Sequence, residues 1–233
     1  TGTPPLSIRQ PYDNFMLYGD PAVTNNAGPV GKDLPLVPLV ENFEYLSDGL
    51  LETPASGIAN TLAAFDDPVS PSRKFVVGIH GVSASAYSVI KKNGSAGASQ
   101  GYARGQTQAT NTKDYVEDTF AGEYRPLAST LIHGEADANN GSTTGDPAPY
   151  EGYLAELQND YETDLNTLTG RNDQIPLFYS QQNSSFPYQM AVTQTRAHVT
   201  HDNDIYLIAP TYQYPFSSDF LHLQALSYRR LGE

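Results

Sequence analysis

The sequence predicts an α/β fold, a doubly wound parallel sheet with helices between its strands. Three observations predict it. Short apolar runs rich in β-forming residues recur at 74–79, 129–133, 175–180 and 205–210. Segments with helical spacing lie between them, clearest from Tyr150 to Leu168. The chain is 39% hydrophobic and 17% charged, enough apolar surface for an ordinary core. Strands that alternate with helices imply crossover connections and parallel pairing.

At 233 residues the chain fits one sizeable domain or two small ones. It contains no cysteine, which excludes disulfides, thiolate nucleophiles and Cys-ligated zinc. Its net charge of −13 argues against nucleic-acid and anionic-membrane partners, whose usual footprint is a basic patch. No apolar run approaches the roughly 20 residues that span a bilayer. The 16 tyrosines, with many Asn, Gln, Ser and Thr, suit a sugar-facing surface without demonstrating one.

Residues 1–50 are rich in Pro, Gly and Asn and read mostly as loop, with a short strand at 14–18. A helix is predicted over 54–65, with Thr53 and Ser56 as cap candidates and Ile58, Leu62 and Phe65 on one face. Residues 74–79 read as a buried strand ending in His80-Gly81-Val82-Ser83, followed by a helix over 86–92. Residues 94–108 read as Gly/Ser/Gln-rich loop, part of which could continue as helix. Residues 114–128 are ambiguous, with helical patches interrupted by Gly122 and Pro126.

The strand at 129–133 runs into Gly134-Glu135-Ala136-Asp137 and a polar loop over 139–149. Tyr150, Leu154, Leu157, Tyr161, Leu165 and Leu168 then recur at spacings of three and four, with Gly170 as the stop. A strand at 175–180 must keep Pro176 at its start, since proline cannot donate to a central ladder. A helix around 189–198, a strand at 205–210 and a final helix complete the order. Four loops, beginning at Gly81, His133, Gln181 and Thr211, are expected at one sheet edge, where α/β sheets bind ligands.

Asp219-Phe220-Leu221-His222 follows the last strand. A carboxylate near an imidazole can fix its tautomer, so that the other ring nitrogen takes a proton from a hydroxyl. With this pair, His133-Gly134-Glu135-Ala136-Asp137 and Gly78-x-x-Gly81-x-Ser83, the chain resembles the SGNH hydrolase superfamily, and within it carbohydrate esterases similar to sialate O-acetylesterases. The matching blocks extend from about residue 75 to the C-terminus, in the family's order and spacing.

The resemblance implies a three-layer, flavodoxin-like sandwich around a central parallel sheet. It implies an esterase that removes acetyl or other short acyl groups from a polysaccharide, without cofactor or metal, outside the cell as a secreted or virion-borne enzyme. His222 matches the general base, Asp219 the residue that orients it, and Gly81 the oxyanion-hole glycine. Removing one oxyanion donor typically costs roughly 2.7–4 kcal/mol of barrier lowering. His133 stands where many relatives have Gln. It is expected to contact substrate or oxyanion, or to order the loop, as are Glu135 and Asp137.

The family's serine lies in a Gly-Asp-Ser or Gly-Gln-Ser turn after the first, central strand, and no such tripeptide occurs near residue 1. Ser7 lacks that turn. Thr1-Gly2-Thr3-Pro4 resembles the segment after the serine turn, and Leu231-Gly232-Glu233 falls inside a motif whose helix continues in relatives. The expectation is one SGNH-like domain over 1–233, truncated at both ends. Its first strand and serine would come from upstream of Thr1, or from a second segment or chain.

Plainer readings stand beside these. Asp219 could cap the last helix. Gly81 could be a turn glycine needing positive φ. His133 could be a satisfied histidine at a strand end. His80, His198 and His201 lack metal-ligand spacing. A glycan-binding domain without a nucleophile is the rival to the enzyme. A lipase or thioesterase of the same superfamily comes third.

Overall fold

The computed structural model describes residues 12–17, 35–39, 53–66, 73–82, 84–95, 101–139, 148–182, 188–218 and 222–233. In chain order these form β1 (Phe15–Leu17), β2 (Leu36–Pro38), α1 (Ala55–Asp66), α2 (Tyr87–Ile90), α3 (Gly101–Phe120), β3 (Ser129–Leu131), α4 (Glu135–Asn139), α5 (Ala148–Thr169), β4 (Leu177–Gln181), α6 (Tyr188–Thr200), β5 (Ile205–Pro210), a 3₁₀ turn (Thr211–Gln213) and α7 (Ala225–Gly232). The protein is a mixed α/β fold whose main sheet is parallel and flanked by helices. None of the described helices is long and apolar enough to cross a membrane.

The main sheet has three strands in the order β3-β4-β5, all parallel, with Ser129 opposite Leu177 and Leu177 opposite Ile205. Leu177, Tyr179 and Ile205 point into a core shared with Tyr150, Leu154, Leu157, Tyr161 and Leu165 of α5, Met190 and Ala197 of α6, and Tyr102 and Ala109 of α3. The apolar spacing of α5 therefore buries the predicted face. Gly170 ends that helix at φ +66°, a conformation that glycine adopts without a Cβ penalty.

A second, smaller core joins Met16, Leu39 and Phe75 to Ala55, Ala59 and Ala63 of α1. Here the predicted helix face is corrected. Leu62 and Phe65 are 39% and 85% exposed, and the alanines face inward. A different face of the helix meets α7. A Cβ on Gly57 would stand 2.3 Å from the Arg229 carbonyl oxygen, and one on Gly232 2.2 Å from the Pro54 carbonyl oxygen. Only small side chains fit that contact. Of the two cap candidates, Thr53 accepts the Ala55 N–H through Oγ1 at 3.2 Å, and Ser56 is buried within the helix.

Two other expectations are corrected. Residues 74–79 are extended but do not join the parallel sheet. Phe15 N–H donates to the Phe75 carbonyl at 2.7 Å and Val77 N–H to the Phe15 carbonyl at 3.1 Å, a single parallel bridge to β1. The Ile79 carbonyl is taken by the Gln108 side chain at 2.8 Å rather than by a strand. So, among the described residues, three strand ends share one edge, not four. The loop expected over 94–108 gives way at Gly101 to a twenty-residue helix. The buried positions of α3 include Arg104, Gly105, Gln108, Asn111 and Thr112, a helical stripe written in polar residues and therefore invisible to an apolar-periodicity test.

Candidate active site

The parallel register brings the carboxyl ends of β3, β4 and β5 to one edge. Gln194 of α6, fully buried, ties two of them together. Its Oε1 accepts the Gln182 N–H at 2.9 Å and its Nε2 donates to the His133 carbonyl at 3.1 Å. Thr211 Oγ1 donates to the Gln181 carbonyl at 2.8 Å, fixing the end of β5 against that of β4.

His133 leaves β3 with both ring nitrogens engaged. Nε2 lies 2.9 Å from the Ser85 carbonyl, and Nδ1 lies 2.7 Å from the Tyr150 hydroxyl. A carbonyl can only accept, so Nε2 carries the hydrogen, and in the neutral ring Nδ1 accepts the Tyr150 O–H. Burial, and after it the Asp137 carboxylate, hold the Tyr150 phenol well above its usual range, so it keeps that hydrogen to give. Asp137 is itself buried. Its Oδ2 stands 3.5 Å from His133 Nε2 and accepts the Tyr87 backbone N–H at 2.9 Å. Gly134, between them, has φ +130°. A Cβ there would meet Gln194 Nε2 at 3.2 Å and the Tyr150 hydroxyl at 3.3 Å. Glu135 opens α4 half-buried.

Gly81 is exposed, and a Cβ built on it meets nothing within 4 Å. Its φ lies outside the left-handed region, so this glycine is not required by a turn conformation. The residue before it is held. His80 Nε2 lies 2.6 Å from the Tyr161 hydroxyl, and Gly105 of α3 leaves room for its ring, since a Cβ there would come within 2.7 Å of Nε2. Burial first, then Arg104, lower the His80 pKa to about 4, with a Gln108 hydrogen bond acting the other way, so the imidazole is neutral near pH 7.

His222 is exposed, on a short hairpin beyond β5. The hairpin is closed by an antiparallel bridge between Phe216 and Leu223 and by the Ser217 N–H donating to the His222 carbonyl at 2.8 Å. Ser227 Oγ of α7 donates to the Pro215 carbonyl at 2.9 Å and anchors its base. Asp219, Ser7 and Ser83 lie outside the described residues. The end of β3 thus brings together His133, Asp137 and the 85–87 backbone, while His222 stands apart from them on its own hairpin between β5 and α7.

Sequence reasoning missed Tyr150, Tyr161, Gln194 and Gln108 as polar partners. The available signal was a tyrosine at an inward position of an amphipathic helix, whose hydroxyl needs a partner when buried. Among the described residues no group of three or more His, Asp or Glu is placed to hold a metal ion.

No family model matches the sequence, and no curated protein does. The crystal structure of an Arabidopsis thaliana protein resembles this fold at a TM-score of 0.50 and 16% identity, over 77% of this chain. The chain spans 62% of the length of that protein, and at this identity the likeness is one of fold.

Proposed function

We propose that this chain works as a serine-dependent carbohydrate esterase of the SGNH type, in a three-layer, flavodoxin-like sandwich. It removes acetyl or other short acyl groups from a polysaccharide outside the cell. The observation that carries the reading is the sheet edge. An exposed imidazole, His222, follows β5 in the chain, and the turn carrying Gly81 is tied to the end of β3 through His133 and Ser85.

In this mechanism His222 takes the proton of a serine hydroxyl as the oxygen attacks the ester carbonyl, and Asp219 holds the imidazole in the tautomer this requires. The Gly81 N–H donates to the carbonyl oxygen as it gains negative charge. Expulsion of the sugar oxygen returns the proton from His222 to it and leaves an acyl-serine. Water, deprotonated by His222, releases the acid and restores the serine.

The serine belongs in this reading to a segment outside these 233 residues, which also pairs with the free side of β3. Among the described residues β3 has a strand neighbour on one side only, β4. The test is to treat the full polypeptide with a fluorophosphonate, which labels activated serines, and to assay acetate release from an acetylated glycan. Release with one labelled serine is expected. Neither label nor release would overturn the reading.

Neither Gly-Asp-Ser nor Gly-Gln-Ser occurs anywhere in these 233 residues, which favours a second reading, a glycan-binding domain without a nucleophile. That protein would retain an oligosaccharide and take up no fluorophosphonate.

A further inference from the structure

The backbone that carries Gly81 is held from both ends by one helix. At its start, His80 meets the hydroxyl of Tyr161 at 2.6 Å. At its far end, His133 donates to the Ser85 carbonyl at 2.9 Å, and its other nitrogen meets the hydroxyl of Tyr150 at 2.7 Å. Tyr150 and Tyr161 both belong to α5 and are 1% and 7% exposed. At 3.6 residues per turn they stand about three turns apart and within about 20° of each other around the axis. They occupy one face of one rigid rod. Gly81, between the two attachment points, touches nothing through its Cα face.

We propose that Tyr150 and Tyr161 are positioning residues, whose two hydroxyls on one face of α5 set the Gly81 turn through His133 and His80. A donor aimed at developing charge is effective only if it does not have to reorganise during the reaction. Two anchors on one helix meet that demand, because α5 cannot change the distance between them without breaking its own hydrogen-bond ladder. His133 is then an internal strut with both nitrogens occupied. Asp137 completes the far anchor by accepting the Tyr87 N–H, two residues beyond the bonded carbonyl. The catalytic part of this proposal rests on the Gly81 turn being the oxyanion-donating loop.

The test uses Tyr150→Phe and Tyr161→Phe in the full polypeptide, changes that remove one oxygen each and keep the packed ring. Tyr153→Phe is the control. Tyr153 lies on the same helix and stacks on Tyr87 at 4.5 Å, but makes no hydroxyl contact with the turn. Amide hydrogen exchange over residues 79–87 is expected to quicken at least fivefold in the first two variants and to stay unchanged in the control. On p-nitrophenyl acetate, kcat is expected to fall about threefold to tenfold, the effect of one hydrogen bond, with KM within twofold of the parent. Exchange that stays unchanged in both variants, or that rises equally in Tyr153→Phe, overturns the proposal whatever the activity. If the unmutated polypeptide hydrolyses no ester, the esterase reading fails, and the exchange result alone still decides the positioning.

Discussion

The Asp137 carboxylate accepts the Tyr87 backbone N–H at 2.9 Å, joining the first turn of α4 to the first turn of α2. The residues are fifty positions apart, and Asp137 is 4% exposed. Removing the carboxylate leaves a buried donor without an acceptor. Asp137→Ala is expected to lower unfolding free energy by about 2 kcal/mol in urea titrations, and Asp137→Asn, which keeps an acceptor oxygen, by about half of that.

His80 gives the stability a defined pH dependence. Its folded pKa of about 4 lies below the ordinary 6.5, so between these values the unfolded chain binds more protons than the folded one. The contribution is complete above pH 6.5 and is lost as pH falls toward 4, up to about 3 kcal/mol. Denaturation midpoints measured across pH 4–7 should show this slope in the parent and not in His80→Gln. Equal slopes in the two proteins would remove the half-buried neutral histidine from the account.

The contact between α1 and α7 closes on glycine. Gly57→Ala places its Cβ against the Arg229 carbonyl and the Glu233 N–H, both backbone groups that cannot swing aside. A loss of about 1–3 kcal/mol is expected. Hydrogen exchange should quicken across α7 and leave α5 unaffected. Because Ser227 of α7 anchors the base of the His222 hairpin, activity is expected to fall with it.

How far the fold was legible depended on what each element buries. The α5 helix was readable because Leu154, Leu157 and Leu165 carry its inward face in apolar side chains. The α3 helix was not, because Arg104, Gln108 and Asn111 occupy the same kind of face with polar ones. The α1 helix was found but its inward face was not, since the alanines that fill it carry less hydrophobicity than Leu62 and Phe65, which stand outside. Of the candidate site residues, His133 and Asp137 could be read as one local block, and the structure does bring them together, while Asp219 lies outside the described residues. The pairing of His80 with Tyr161, eighty-one positions away, could not be read locally, because it forms only where the segment before Gly81 lies on Gly105 of α3, beside α5.

Gly81→Ala separates stability from chemistry. With open space at the Cβ position and φ outside the left-handed region, the substitution is expected to leave the melting temperature unchanged or slightly raised. If Gly81 is the oxyanion-donating glycine of the proposed esterase, the added methyl group crowds the approaching acyl group, and hydrolysis of p-nitrophenyl acetate should fall tenfold or more. An unchanged rate would remove Gly81 from the site.

The imidazole of His222 is the group on which the proposed chemistry turns. The most direct measurement is acetate release from an acetylated polysaccharide by the full polypeptide and by its His222→Ala variant at matched folded concentration. A drop in kcat of at least about a thousandfold is predicted, as expected when a triad base is lost. A variant that releases acetate at the parent rate would contradict the account.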